Sequence, residues 1–223
     1  MIEIRALLWD ADGVLVDTEP LNWQAWEGLF AELGHPVTLA EYLPMVGYGG
    51  HENLAELCQR RGIAPDADAM MRRRWEIYHA LTVGGIPPIQ PNVAMVRKFA
   101  LHDPAIRQIV VSSSLRPNIE GYLVVTGLTE VISQIVCPDD RPTIRRKPAP
   151  DLYLLALEQL DLLAVDCLVF EDSEPGVVAA KAAGLRCVAL PHTFTLGQNF
   201  SKADLVITPG QPRDPAAILQ CLK

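Results

Sequence analysis

The chain is short of the features that mark several protein classes. It has five cysteines, Cys58, Cys137, Cys167, Cys187 and Cys221, odd in number, scattered, and without a CxxC pair. That is poor material for a disulfide framework or a zinc site, and it suits a reducing compartment. Basic side chains are outnumbered 19 to 27, for a formal charge of −8, so a nucleic-acid partner held by backbone neutralisation is not expected. A small anionic metabolite stays open, because a few local cations hold one phosphate. No window approaches 18 uninterrupted apolar residues, and no membrane span is expected. The start shows no basic run leading into an apolar stretch and a small-residue cleavage site; residues 1–9 read as a strand instead. Cytoplasmic placement follows as an expectation. No internal repeat or low-complexity segment is visible, and the five histidines show no metal-ligand spacing.

What is present is a folded chain of 223 residues, 49% hydrophobic, long enough for one domain or one domain with an insertion. Short apolar runs recur at 4–9, 108–111, 134–136, 167–170, 187–190 and 205–207. They are β-branched or Leu-rich with little alternation, as strands buried on both faces should be. Helical patterns lie between them, at 92–101, 117–125, 150–160 and 174–183, the last stopped by Gly184. The alternation predicts an α/β fold, a Rossmann-like parallel sheet with helices on both faces. Residues 20–84 break it: no strand pattern, only amphipathic helical segments. Trp23, Trp26, Leu29, Phe30 and Leu33 share one helix face there. The Gly- and Pro-rich stretch 84–91 reads as a return linker. An inserted α-helical domain is therefore expected over 18–87, within a core of 1–17 and 88–223.

In an open parallel sheet, ligands sit beyond the carboxyl ends of the strands, and reactive residues collect there. The first strand delivers Asp10 and Asp12, the second Ser112-Ser113-Ser114, and the run ending at Phe170 delivers Glu171-Asp172-Ser173. Lys147 stands in a loop just before a helix. Crowded carboxylates need a cation, and an all-oxygen donor set beside a phosphate suits Mg²⁺. A carboxylate in that setting is a plausible nucleophile, and a second one can serve as acid and then base.

Asp10-Ala11-Asp12-Gly13-Val14-Leu15-Val16-Asp17-Thr18-Glu19 resembles the signature loop of the haloacid dehalogenase superfamily. Val110 to Ser114, Lys147-Pro148-Ala149-Pro150-Asp151 and Val169 to Gly176 resemble its second, third and fourth motifs, in order. The resemblance points to the branch of β-phosphoglucomutase and phosphoglycolate phosphatase, whose insertion is a mobile helical cap. It implies Asp10 as nucleophile and metal ligand, and Asp12 as general acid/base that also binds metal through its carbonyl. Ser112 and Lys147 would hold the phosphoryl oxygens with help from Ser113, and Asp172, aided by Glu171, would complete a Mg²⁺ site. Thr18 would lie at the hinge, and Asn22, Gly47, Tyr48 and His51 at the cap face of the site. A monomer acting on a small-molecule phosphoester is implied.

Two departures bear on the reaction. Asn22 stands where β-phosphoglucomutase has a histidine assisting its acid/base, and Gly50 where it has an arginine for a second phosphate. A phosphatase needs neither, so hydrolysis is favoured over a mutase reaction. A 2-haloacid dehalogenase needs no second acid, and a phospho-Asp signalling module lacks a cap. The cluster Gly47-Tyr48-Gly49-Gly50 follows no strand and opens no dinucleotide-binding unit. Arg72-Arg73-Arg74 reads as the wet face of a cap helix, and the cysteines as small core residues.

Overall fold

The computed structural model describes residues 4–222; the first three residues of the strand expected at 1–9 lie outside them. Strand β1, Ala6–Trp9, is fully buried and opens the chain's fold. Helices α1 (Glu19–Glu32), α2 (Leu39–Tyr42), α3 (Gly50–Arg61) and α4 (Ala67–Thr82) follow with no named strand among them. The alternating part is α5 (Gln90–His102), β2 (Arg107–Val111), α6 (Arg116–Thr126), β3 (Gln134–Val136), α7 (Asp151–Leu160), β4 (Cys167–Glu171), α8 (Glu174–Ala182), β5 (Arg186–Ala189), β6 (Leu205–Val206) and α9 (Pro215–Cys221). The six strands form one sheet in the order β3-β2-β1-β4-β5-β6, every pair parallel.

The period-2 geometry of a strand explains why the strands read as unbroken apolar runs. In β1, Leu7 and Trp9 point into one core with α5, α6 and α9. Ala6 and Leu8 point into the other, with α7 and α8. Both faces are thus dry, and polar residues begin where the strands end. Trp9 stacks on Phe170 of the adjacent strand with centroids 3.9 Å apart. Its indole N–H donates to Gln108 Oε1 at 3.0 Å, so this large side chain is buried without an orphaned donor.

The four inserted helices have a core of their own, built on Trp26, Leu29, Phe30, Leu54, Leu57 and Cys58. Local signals delimit them: Thr38 and Glu41 form a capping box at the start of α2, Asp66 caps α4 through Ala69 N, and Gly62 ends α3 at φ 64°. The apolar face expected for α1 is buried at Trp26, Leu29 and Phe30, but Leu33 is 44% exposed. The helix stops at Glu32, and Gly34 at φ 76° turns the chain away before Leu33 can face inward. The chain leaves and re-enters the sheet unit side by side: Asp17 N donates to Pro87 O and Ile89 N to Leu15 O, both at 2.9 Å.

Candidate active site

Strand order reverses beside β1, which has β2 on one side and β4 on the other. The crevice at their carboxyl ends therefore gathers residues from three strands. Asp10, immediately after β1, is held by its backbone N–H to Phe170 O at 3.0 Å. Its carboxylate Oδ1 accepts from Lys147 Nζ at 2.6 Å. The same ammonium donates to Val111 O at 2.8 Å and lies 2.7 Å from Glu171 Oε1. Glu171 also accepts from the Tyr153 hydroxyl at 2.5 Å, while its Oε2 is buried without a partner. Asp172 accepts from His192 Nε2 at 2.9 Å.

Burial governs the charges here. It pushes the Asp10 carboxyl well above the ordinary range, against the pull of Lys147, and raises Glu171 in the same way. Burial alone would lower the Lys147 ammonium, but Asp10 and Glu171 outweigh it and hold its pKa above that of an ordinary lysine. Oxygen atoms of Asp10, Glu171 and Asp172 all lie within 4.8 Å of one another. Of these three buried carboxylates two share one lysine, the third has only His192 among the described residues, and one carboxylate oxygen has no partner. This donor set, all hard oxygen and short of positive charge, fits a hard divalent cation.

Asp12 is turned differently. Its carboxylate accepts from Ser114 Oγ at 2.6 Å, Ser112 Oγ at 3.3 Å and Tyr122 OH at 3.2 Å, so it faces three hydroxyls and stands outside the three-carboxylate cluster. The loop that runs on from Asp10 through Asp12 closes tightly, with Leu15 N donating to Ala11 O at 2.8 Å and Gly13 N to Val16 O at 2.9 Å. Gly13 has φ +72°, and a Cβ there would lie 2.1 Å from Asp172 Oδ2. Glycine is required both by the turn and by the approach of the fourth motif.

A cavity of about 800 Å³ opens above these groups, lined from the sheet side by residues that include Asp10, Asp12, Ser112, Ser113, Lys147 and Asp172 and from the inserted helices by residues that include Glu19, Trp26 and Arg74. Of the residues expected on the cap side, Asn22, Gly47, Tyr48 and His51 line it, with Tyr48 and His51 exposed. Thr18 does not line it: it is fully buried at the N-cap of α1, its hydroxyl unpartnered. Ser113 Oγ accepts from Lys147 N at 3.4 Å, and Ser113 O accepts from Arg146. Gly47, at φ +86°, packs so closely on the start of α8 that a Cβ would lie 2.8 Å from Ser173 Oγ.

Several residues of the site went unread in the sequence. Arg74 is not on a wet face: it is 5% exposed, its guanidinium lies 4.6 Å from the Trp26 ring centroid, and it donates to Asn22 Oδ1 at 2.6 Å. Its i, i+3, i+7 spacing with Met71 and Tyr78, both buried, was the available signal. Burial lowers its pKa, and among the described residues no carboxylate forms an ion pair with it. Glu19, the last residue of the signature loop, is buried in the cavity wall and accepts from Tyr42 OH at 2.5 Å. Burial pushes its carboxyl up to about 7. The histidine against Asp172 had no sequence signal, since it is 20 residues away.

A family model described as haloacid dehalogenase-like hydrolase matches residues 7–190. Protein CbbY of Rhodobacter capsulatus is 32% identical over 219 residues, covering 91% of this chain and 92% of that protein. The phosphorylated carbohydrates phosphatase of Thermotoga maritima is 28% identical over 229 residues, 99% of each chain. Among solved structures, CbbY from Rhodobacter sphaeroides in complex with xylulose-(1,5)bisphosphate superposes with a TM-score of 0.77 at 31% identity, over 92% of this chain and 93% of that one.

Proposed function

The chain belongs to the haloacid dehalogenase-like hydrolases, and from that premise we propose that it is a Mg²⁺-dependent phosphatase of small phosphorylated carbohydrates. The observation that carries the reading is the pairing of two unlike carboxylates at one strand end. Asp10 is bound to Lys147, while Asp12, two residues on, is bound to hydroxyls. Burial raises the Asp10 carboxyl and Lys147 pulls against that rise, so the ammonium favours the ionised form that attacks phosphorus.

A bond forms between an Asp10 carboxylate oxygen and phosphorus as the bond to the ester oxygen breaks. Asp12 gives its proton to the departing alkoxide, leaving an aspartyl-phosphate. Asp12 then takes a proton from water as the water oxygen attacks phosphorus, and Asp10 is released with inorganic phosphate. Lys147, Ser112 and Ser113 line the place of the phosphoryl oxygens. A Mg²⁺ ion would be held by Asp10, Asp172 and the Asp12 carbonyl, with Glu171 behind them, and would supply charge neutralisation for the transferring group. Residues 18–87 act as the cap, which closes to exclude bulk water and opens to release product.

The cap wall supports a polyol substrate, because Glu19, Asn22 and Arg74 present polar atoms to the same cavity. The relatives point the same way, one named for phosphorylated carbohydrates and one bound to a sugar bisphosphate. Asn22 is engaged by Arg74 rather than by Asp12, which favours hydrolysis over a mutase reaction. The test is phosphate release from a panel of sugar phosphates and bisphosphates, with Mg²⁺ and with chelator, beside Asp10→Asn. Metal-dependent turnover absent from Asp10→Asn is expected. A stable phospho-Asp10 without turnover, or release that persists in Asp10→Asn, overturns the assignment.

A further inference from the structure

The segment 191–199, which follows β5, touches both halves of the molecule. At one end His192 Nε2 lies 2.9 Å from Asp172 Oδ2. The Phe194 backbone N–H donates to His192 Nδ1 at 3.4 Å, which leaves the ring proton on Nε2, aimed at the carboxylate. The turn is rigid: His192 N donates to Thr195 Oγ1 at 3.0 Å, Thr195 N to His192 O at 2.8 Å, and Thr195 is fully buried. Room for the pair is reserved at Gly13, where a Cβ would come within 2.9 Å of His192 Nε2.

The other side of the same segment is seated on the inserted helices. Phe194 packs against their hydrophobic core, edge-on to Tyr42 at 6.3 Å, the tyrosine whose hydroxyl holds Glu19. Gln198 donates through Nε2 to Val46 O at 3.0 Å and accepts from Glu174 N at 2.7 Å. One short strap thus joins Asp172 to the seat of the cap.

We propose that His192 is a positioning residue that fixes the Asp172 carboxylate for the metal, and that the strap 191–199 makes this fix depend on the cap being seated. The proposal rests on the reading of Asp172 as a metal ligand. A carboxylate that coordinates a cation is oriented by the hydrogen bond on its other oxygen, and losing such a partner weakens metal binding. Because Phe194 and Gln198 hold the strap from the cap side, an unseated cap releases His192 and with it Asp172. By linkage, metal binding then stabilises the seated cap to the same extent.

The test titrates Mg²⁺ into the full chain by calorimetry, without substrate, for wild type, His192→Leu, His192→Gln and Phe194→Ala, with thermal unfolding to show that each variant folds. Hydrogen exchange with and without Mg²⁺ follows residues 42–50 and 191–199. His192→Leu is expected to weaken Mg²⁺ by roughly ten- to hundredfold. His192→Gln, which keeps an N–H donor, should retain most of the affinity. Phe194→Ala should weaken Mg²⁺ although it touches no ligand, and Mg²⁺ should slow exchange in residues 42–50 of wild type but not of His192→Leu. Wild-type affinity in His192→Leu overturns the positioning role. Weakening in His192→Leu with wild-type affinity and exchange in Phe194→Ala overturns the link to the cap. A wild-type chain that takes up no Mg²⁺ overturns the metal reading itself, and this one with it.

Discussion

Glu19 offers a quantitative test of the cavity's electrostatics. Its carboxyl is raised from 4.5 to about 7, chiefly by burial, so the folded chain keeps this proton to higher pH than the unfolded chain does. A raised carboxyl leaves stability intact below pH 4.5 and erodes it as pH climbs toward 7. Above that the full cost is in place. At 1.36 kcal/mol per pH unit the ceiling is about 3.4 kcal/mol. Between pH 5 and pH 8 the change from this one group amounts to about 2.5 kcal/mol, since part of the unfolded chain is already ionised at pH 5. Glu19→Gln preserves size and polarity and removes the titration. Urea unfolding of wild type and Glu19→Gln, in chelator at both pH values, isolates the effect from other titrating groups. The variant's stability relative to wild type should rise by about 2.5 kcal/mol from pH 5 to pH 8. A difference that does not change with pH would show that the Tyr42 hydroxyl offsets the burial of an ionised Glu19, and the desolvation argument would be wrong.

Three further outcomes follow from the packing. Gly176→Ala would place a Cβ 2.0 Å from Glu171 Oε2; overpacking of this kind costs about 1–3 kcal/mol, and thermal unfolding should register it as a Tm lower by roughly 2–12 °C. Arg74→Met removes the cap's buried cation from the cavity, and steady-state kinetics should show KM for the preferred sugar phosphate up by roughly tenfold or more, with kcat less affected; Arg74→Lys should recover only part, because a lysine does not reproduce the stacking on Trp26. Of the five cysteines, only Cys221 is exposed, so a thiol reagent should label it alone in the folded chain and all five after unfolding. Fast labelling of a second thiol, mapped to Cys58, would show that the cap's own core opens.

What the sequence determined by itself were the positions at which chemistry begins. Parallel strands dry on both faces must read as apolar runs, and each run stops where the backbone reaches the crevice. Asp10, Ser112 and Glu171 stand at those stops, and Asp12 follows Asp10 two residues on. Helix periodicity likewise located the inserted helices and most of the buried face of α1. It could not say that Leu33 is turned out, because that depends on where the helix ends.

Tertiary structure decided which groups meet and what water is left around them. Lys147 lies 137 residues from Asp10, and only the sheet's strand order brings the ammonium between two carboxylates. Arg74 looked like a solvated charge because a sequence shows which residues share a helix face, not what that face meets. His192 and Tyr42 join the site through contacts of 20 and 23 residues' separation that no local pattern encodes. The raised carboxyls of Asp10, Glu19 and Glu171 have the same origin: desolvation is a property of everything packed around a group, and it exists only once the core and the inserted helices have closed over the cavity.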